Sequence, residues 1–186
     1  GTPGPVFLEL PFDILMAQVD HNELVVPPLL PTWPRTMCDP AQLAQAVALI
    51  EKAERPVLFA GSQVYWEGAH TALSRLCETI HIPVVMNGMG RGCLPADHPQ
   101  ALNHARKKAL RGTDLVVLIG TPLDFRIGFG AGISPKAQII HIDRDPTQFN
   151  KNRSAEVALS GNADLVLSQL RDALTGDVAA RLRERA

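Results

Sequence analysis

The chain has 186 residues, 46% of them hydrophobic and 20% charged, a composition that suits one soluble globular domain with a core of its own. A net charge of −1 gives no electrostatic case for nucleic acid or an anionic membrane, and no apolar run approaches the roughly 20 residues that a membrane-spanning helix needs. The cysteines, Cys38, Cys77 and Cys93, are too widely spaced for a disulfide framework or a zinc site, so reduced thiols and a cytoplasmic setting are expected.

The chain opens without methionine on Gly1-Thr-Pro-Gly-Pro-Val-Phe-Leu-Glu-Leu10, and Val6 to Leu10 read as a short strand, the last of something earlier. No basic segment followed by an apolar one marks a signal peptide. The chain closes on the charged, helix-like Arg181-Leu-Arg-Glu-Arg-Ala186. Both ends read as cut from a longer polypeptide. Between residues 19 and 39, Pro27, Pro28, Pro31 and Pro34 favour an extended connector over a helix, which places a domain boundary there.

A helix is predicted next, with Asp39 as N-cap and Pro40 at its first position. Leu43, Ala46, Val47 and Ile50 follow at helical spacing, and Arg55-Pro56 ends it. Val57 to Ala60 are a strand closing at Gly61. Residues 67–80 read as a helix with Ala69, Leu73, Leu76 and Ile80 on one face. Ile82 to Met86 are a second strand, leading into the glycine-rich Asn87-Gly-Met-Gly-Arg-Gly92. A basic helix runs through Arg106, Lys107, Lys108 and Arg111, most simply a solvated face. Leu115–Ile119 and Gln138–Ile142 are continuous apolar runs of strand length, and Val157–Leu159 is a shorter one. Asp164 to Leu174 complete the series as a helix with Leu165, Val166, Leu170 and Leu174 along one stripe. Apolar runs of this kind mark parallel strands buried on both faces. Alternation with helices gives an α/β fold: an open, mostly parallel, Rossmann-like sheet with helices on both faces.

Ligands of such sheets bind where the strands' carboxyl ends emerge, so the candidate residues are taken from the strand exits. Gly61 and Ser62 follow the first strand, where a helix start could receive a phosphate; the full G-x-G-x-x-G fingerprint is missing, and a tight turn is the alternative role for Gly61. Gly88 and Gly90, with Arg91, offer either close backbone approach to a nucleotide or a surface turn. Gly120, Thr121, Asp124 and Arg126 form the third exit. There Arg126 is suited to bidentate phosphate recognition or else pairs with Asp124. Asp143 ends the fourth strand, where an acidic side chain accepts from ribose hydroxyls or caps a turn. The histidines show no metal spacing, His98 and His104 being the nearest pair. No nucleophile with its base is visible, so no catalytic residue is assigned.

Gly4-Pro-Val-Phe-Leu-Glu-Leu-Pro-Phe-Asp13, Arg55-Pro-Val-Leu58, Gly92-Cys-Leu-Pro-Ala-Asp-His-Pro99 and Gln138-Ile-Ile-His-Ile-Asp-Arg-Asp-Pro146 together resemble the thiamine-diphosphate-dependent enzymes, over nearly the whole chain. The resemblance is to that family's middle domain. It implies that residues 1–18 are the tail of a pyrimidine-binding domain, 19–38 a linker, 39–176 the central domain, and 177–186 the start of a linker to a C-terminal diphosphate-binding domain. Ala105 to Gly120, with Asp124-Phe-Arg126, is similar to acetolactate-synthase-like proteins and 2-hydroxyacyl-CoA lyases. That subgroup implies a transferase or lyase acting on 2-keto acids or 2-hydroxyacyl substrates, with thiamine diphosphate and magnesium held by the other two domains, in a homodimer or homotetramer. Acetolactate synthases bind FAD in this domain and oxalyl-CoA decarboxylases bind ADP. The synthase exit usually reads Gly-Ala-Arg-Phe-Asp-Asp-Arg; Gly120, Asp124 and Arg126 match it, whereas Pro122 replaces the first arginine and Phe125 an aspartate. The family's activating glutamate and its Gly-Asp-Gly segment belong to the other domains, and no Gly-Asp-Gly occurs here. The isolated chain is therefore expected to be inert. Two alternatives stand beside this reading: a purely structural domain, and a stand-alone NAD enzyme with a sirtuin-like sheet.

Overall fold

A computed structural model describes residues 3–26, 28 and 34–185, which fall into two units, Pro3–Pro34 and Arg35 onward. The first unit carries α1 (Phe12–Leu15) and a 3-10 turn at His21–Glu23, started by the Asp20 carboxylate accepting from the Asn22 N–H. The strand expected at Val6–Leu10 does not form, and Val6 and Phe7 are 90% and 88% exposed. A strand exists through its ladder, and among the described residues of this unit there is no second strand to pair with. Of the proline-rich connector, residues 27 and 29–33, with Pro27 and Pro31, lie outside the described residues.

The second unit begins its first helix where predicted. In α2 (Pro40–Lys52) the Asp39 carboxylate accepts from the N–H groups of Ala41 and Gln42. Ala46 and Ile50 are buried, with Leu43 and Val47 packed beside them. After β1 (Pro56–Ala60), the helix expected over 67–80 is two: α3 (Ser62–Trp66) and α4 (His70–Ile80). The break is Gly68 at φ 63°, a left-handed conformation that glycine adopts freely and that stops a helix. Then come β2 (Val84–Met86), α5 (Arg106–Gly112), β3 (Leu115–Ile119), β4 (Gln138–Asp143), β5 (Val157–Ser160), α6 (Ala163–Ala173) and α7 (Asp177–Arg185).

All five strands are parallel, in the order β2-β1-β3-β4-β5. Leu58, Val84, Val117, Ile140 and Val157 lie in register across the sheet and share one core with α2, α4 and α6. Val57, Phe59, Val85, Val116, Leu118 and Ile139 point the other way, onto Leu110 of α5 and onto Leu123, Ile133 and Ala137. Each fully buried side chain of this size contributes roughly 1.5–3 kcal/mol of transfer free energy. Burial on both faces is thus what the unbroken apolar runs encode. The open parallel sheet with helices on both faces is as expected.

Two segments differ in detail. α5 is more than a solvated face, because Leu110 is buried and the Arg106 guanidinium lies 5.8 Å from the Phe59 ring centre. The segment expected to begin a linker is α7, whose Ala179 and Leu182 are buried, Leu182 within the core shared with α4. Residues 36–38, the end of the expected connector, are pinned as well: Thr36 N–H donates to Asn162 Oδ1 at 2.9 Å and Cys38 N–H to Gln169 Oε1 at 3.1 Å.

Candidate functional site at the strand exits

With this strand order the chain reverses direction between β1 and β3, so a ligand crevice should open between Gly61 and Gly120. These two exits are pressed together. Gly61 N–H donates to the Ile119 carbonyl at 2.8 Å, and a Cβ at Gly61 would run into the Gly120 carbonyl and Thr121. Gly120 sits at φ 54°, and a Cβ there would fall among the side-chain carbons of Gln63. Both glycines are required, but by the protein's own close packing. Gly90 likewise lies against the carbonyls of Ala60 and Gly61.

The polar groups at the exits are turned inward. Ser62 Oγ accepts from Met89 N–H at 3.2 Å, beside Gly88 at φ 54°. Thr121 Oγ1 donates to the Phe59 carbonyl at 3.0 Å. Asp143 is buried, and its Oδ1 accepts from Gln63 Nε2 at 2.5 Å and from Asp145 N–H at 2.8 Å. Its other oxygen faces His141 Nε2 at 3.7 Å, too far for a hydrogen bond, with neither atom otherwise partnered. Phe149 closes over His141 edge-on at 5.3 Å. Arg126 reaches back to Asp124, Nη2 to Oδ2 at 2.5 Å and Nε to the same oxygen at 3.0 Å. The hydrogen bonds from Arg126 hold the Asp124 carboxyl below its usual range. Arg91 is exposed.

The candidates therefore do converge. Gly61, Ser62, Gly88, Thr121, Asp124 and Arg126 border one depression, but its free volume is only about 10 Å³, scarcely that of one water. Gly90, Gly120 and Asp143 are packed around it. As its side chains stand, this depression has no room for an FAD or an ADP. The helix that was to receive a phosphate is a single turn, Asp143 Oδ1 is taken by Gln63 and the Asp145 N–H, and Arg126 is taken by Asp124, while Asp143 Oδ2 has no hydrogen bond. Sequence reasoning missed Gln63, which reads as an ordinary polar residue; the signal available was its position two residues after the strand-closing Gly61. It also missed Glu67, one turn further on and just past the end of α3. A larger cavity, about 350 Å³, lies at the opposite, amino ends of β1 and β3 among Pro56, Val57, Ile82, Pro83, Leu102 and Leu182.

Among the described residues no group of histidine, cysteine and acidic side chains could hold a metal ion, and no helix is long and apolar enough to cross a membrane. Cys38, Cys77 and Cys93 are free, and burial pushes the Cys77 thiol up to about 12.

An all-parallel, doubly covered sheet of this strand order, with glycine exits and an acidic β4 terminus, defines the class: a nucleotide-binding-type α/β scaffold. The family follows from comparison. The sequence profile of the thiamine pyrophosphate enzyme central domain matches residues 43–170, and the chain belongs to that family as such a domain. It is 37% identical over 196 residues to a Methanocaldococcus jannaschii protein assigned as an acetolactate synthase large subunit, covering 100% of this chain and 33% of the relative. It is 33% identical over 185 residues to the acetolactate synthase of Arthrospira platensis (91% of this chain, 32% of that one). To 2-hydroxyacyl-CoA lyase 2 of Caenorhabditis elegans it is 30% identical over 211 residues (94% and 33%). A solved structure assigned to the thiamin diphosphate-dependent enzymes, from Mycobacterium smegmatis, superposes with a TM-score of 0.63 at 24% identity, over 74% of this chain and 28% of that one. The chain thus spans about a third of the length of the curated relatives it matches.

Proposed function

We propose that this chain is the structural central domain of a cytoplasmic carboligase or lyase that uses thiamine diphosphate and magnesium, acting on 2-keto acids or 2-hydroxyacyl substrates. The reaction is the making or breaking of a carbon–carbon bond beside a carbonyl, and thiamine diphosphate supplies the stabilisation of the carbanion. Both it and magnesium are held by the other two domains of a homodimeric or homotetrameric parent. The observation that carries this reading is the match of residues 43–170 to the family's central domain, a region without a catalytic constellation of its own.

The domain's contribution is a rigid brace. Its sheet is buried on both faces, and polar side chains tie its strand exits to one another. The test is to incubate the 186-residue chain with thiamine diphosphate, magnesium and either pyruvate or a 2-hydroxyacyl-CoA. No product and no rise in melting temperature on adding thiamine diphosphate are expected. Turnover by this chain alone would sink the assignment.

A further inference from the structure

We propose that Gln63 is a built-in occupant of the strand-exit crevice, standing where a nucleotide would lie and closing the crevice to FAD and ADP. Three observations converge on it. The residue is 6% exposed although it is polar and stands at the mouth of the sheet. Its Cβ, Cγ and Cδ cover Gly120, so the glycine that frees space at the β3 exit frees it for Gln63. Its amide then spans to β4, with Nε2 donating to Asp143 Oδ1 at 2.5 Å and Oε1 accepting from Arg144 N–H at 3.3 Å.

From its root beside β1, one side chain thus crosses β3 and fastens to the end of β4. That is the path a dinucleotide takes across the carboxyl ends of an open sheet. It also uses the acidic group that a ribose would need. A ligand entering here must break a buried hydrogen bond to a carboxylate and expel the side chain that fills the site. Such a bond is among the stronger ones available, and its loss leaves the buried Asp143 carboxylate one donor short, with the Asp145 N–H remaining on Oδ1.

This inference rests on the geometry of the crevice and not on the parent's reaction. Nucleotide binding would overturn it while leaving the proposed function standing. The first arm titrates the wild-type 186-residue chain with FAD and with ADP to about 1 mM, by calorimetry and thermal shift. No saturable heat and no shift are expected, and saturable binding of either overturns the proposal. The second arm is Gln63→Ala, expected to lower the melting temperature by about 5 °C or more; an unchanged melting temperature also overturns it. Should that variant not fold, the isosteric Gln63→Glu replaces it. Its carboxylate meets Asp143, with His141 against the other Asp143 oxygen and with Arg144 and Glu67 nearby, so its deficit should shrink from pH 7 to pH 5. A deficit indifferent to pH would remove the link between Gln63 and Asp143.

Discussion

The carboxylate of Glu67, near the end of α3, accepts the N–H of Ala163, the first residue of α6, at 2.5 Å. An acidic group at a helix start satisfies an otherwise unpaired N–H and meets the positive end of the helix dipole. The other oxygen has Arg144 Nη1 at 3.7 Å and no hydrogen bond. Burial raises the Glu67 pKa above its ordinary 4.5, outweighing the Ala163 bond and the Arg144 charge that lower it. A carboxyl whose folded pKa is raised adds stability that is fully present below the ordinary value and lost as pH rises through the folded one. Glu67→Gln keeps an acceptor for Ala163 and has no charge to desolvate. Urea midpoints across pH 4.5 to 8 should therefore show the variant gaining on the wild type as pH rises. Parallel profiles would mean that Glu67 carries no such burden.

Gly120→Ala tests the closed exits. At φ 54° an L side chain costs about 1–2 kcal/mol, and the new Cβ must also displace Gln63. A loss on the order of 3 kcal/mol is expected, seen as a drop in melting temperature of about 6–12 °C for a domain of this size. Gly112→Ala is the control, since nothing lies within 4 Å of a Cβ there and its φ is not positive; it should change stability by less than about 1 kcal/mol. Equal effects at the two sites would mean that the β3 exit is open.

The contrast between those glycines shows what the sequence could and could not disclose. Strand identity was legible because burial on both faces writes itself as an unbroken apolar run, as in Leu115–Ile119. The α2 start was legible because Asp39-Pro40 is a local capping signal. The exit residues were legible as a set because each follows a strand. Whether Gly61 and Gly120 make room for a ligand or for the protein itself was not, since both demand the same residue. The answer lay in Gln63 and Asp143, 80 positions apart, and no local pattern links them. The same holds for Val6–Leu10, whose apolar run promised a strand that needs a partner to exist.

Thiol reactivity reads the packing of α4. Cys77 is fully buried in the core, with its thiol pushed up to about 12 by burial, and Cys38 is buried against Gln169. Cys93 is only half-buried. The thiolate is the reacting form, so a native chain treated with a disulfide reagent should label Cys93 first and Cys77 only upon unfolding. Mass spectrometry of the early product gives the order. Cys77 labelling as fast as Cys93 would show that the α4 face is not packed as described.

Asp114 fastens the entrance of the sheet. Its two carboxylate oxygens accept from Glu54 N–H at 2.7 Å and Arg55 N–H at 2.9 Å, in the turn between α2 and β1. Thr113 Oγ1 donates to the Arg55 carbonyl at 2.7 Å. These bonds set β1 beside β3 at the step where Pro56 meets Leu115, and Pro56, lacking an N–H, cannot provide that anchor itself. Bonds to a charged acceptor contribute about 1.5–3 kcal/mol when sheltered and less where exposed, as both are here. Asp114→Ala should therefore cost about 1–2 kcal/mol, and Asp114→Asn, which retains one acceptor, about half of that. Because the clamp acts on the folded state, the denaturant midpoint should move while the slope m stays unchanged. If Asp114→Ala leaves the midpoint where it was, the turn is held by Thr113 and the strand ladder alone.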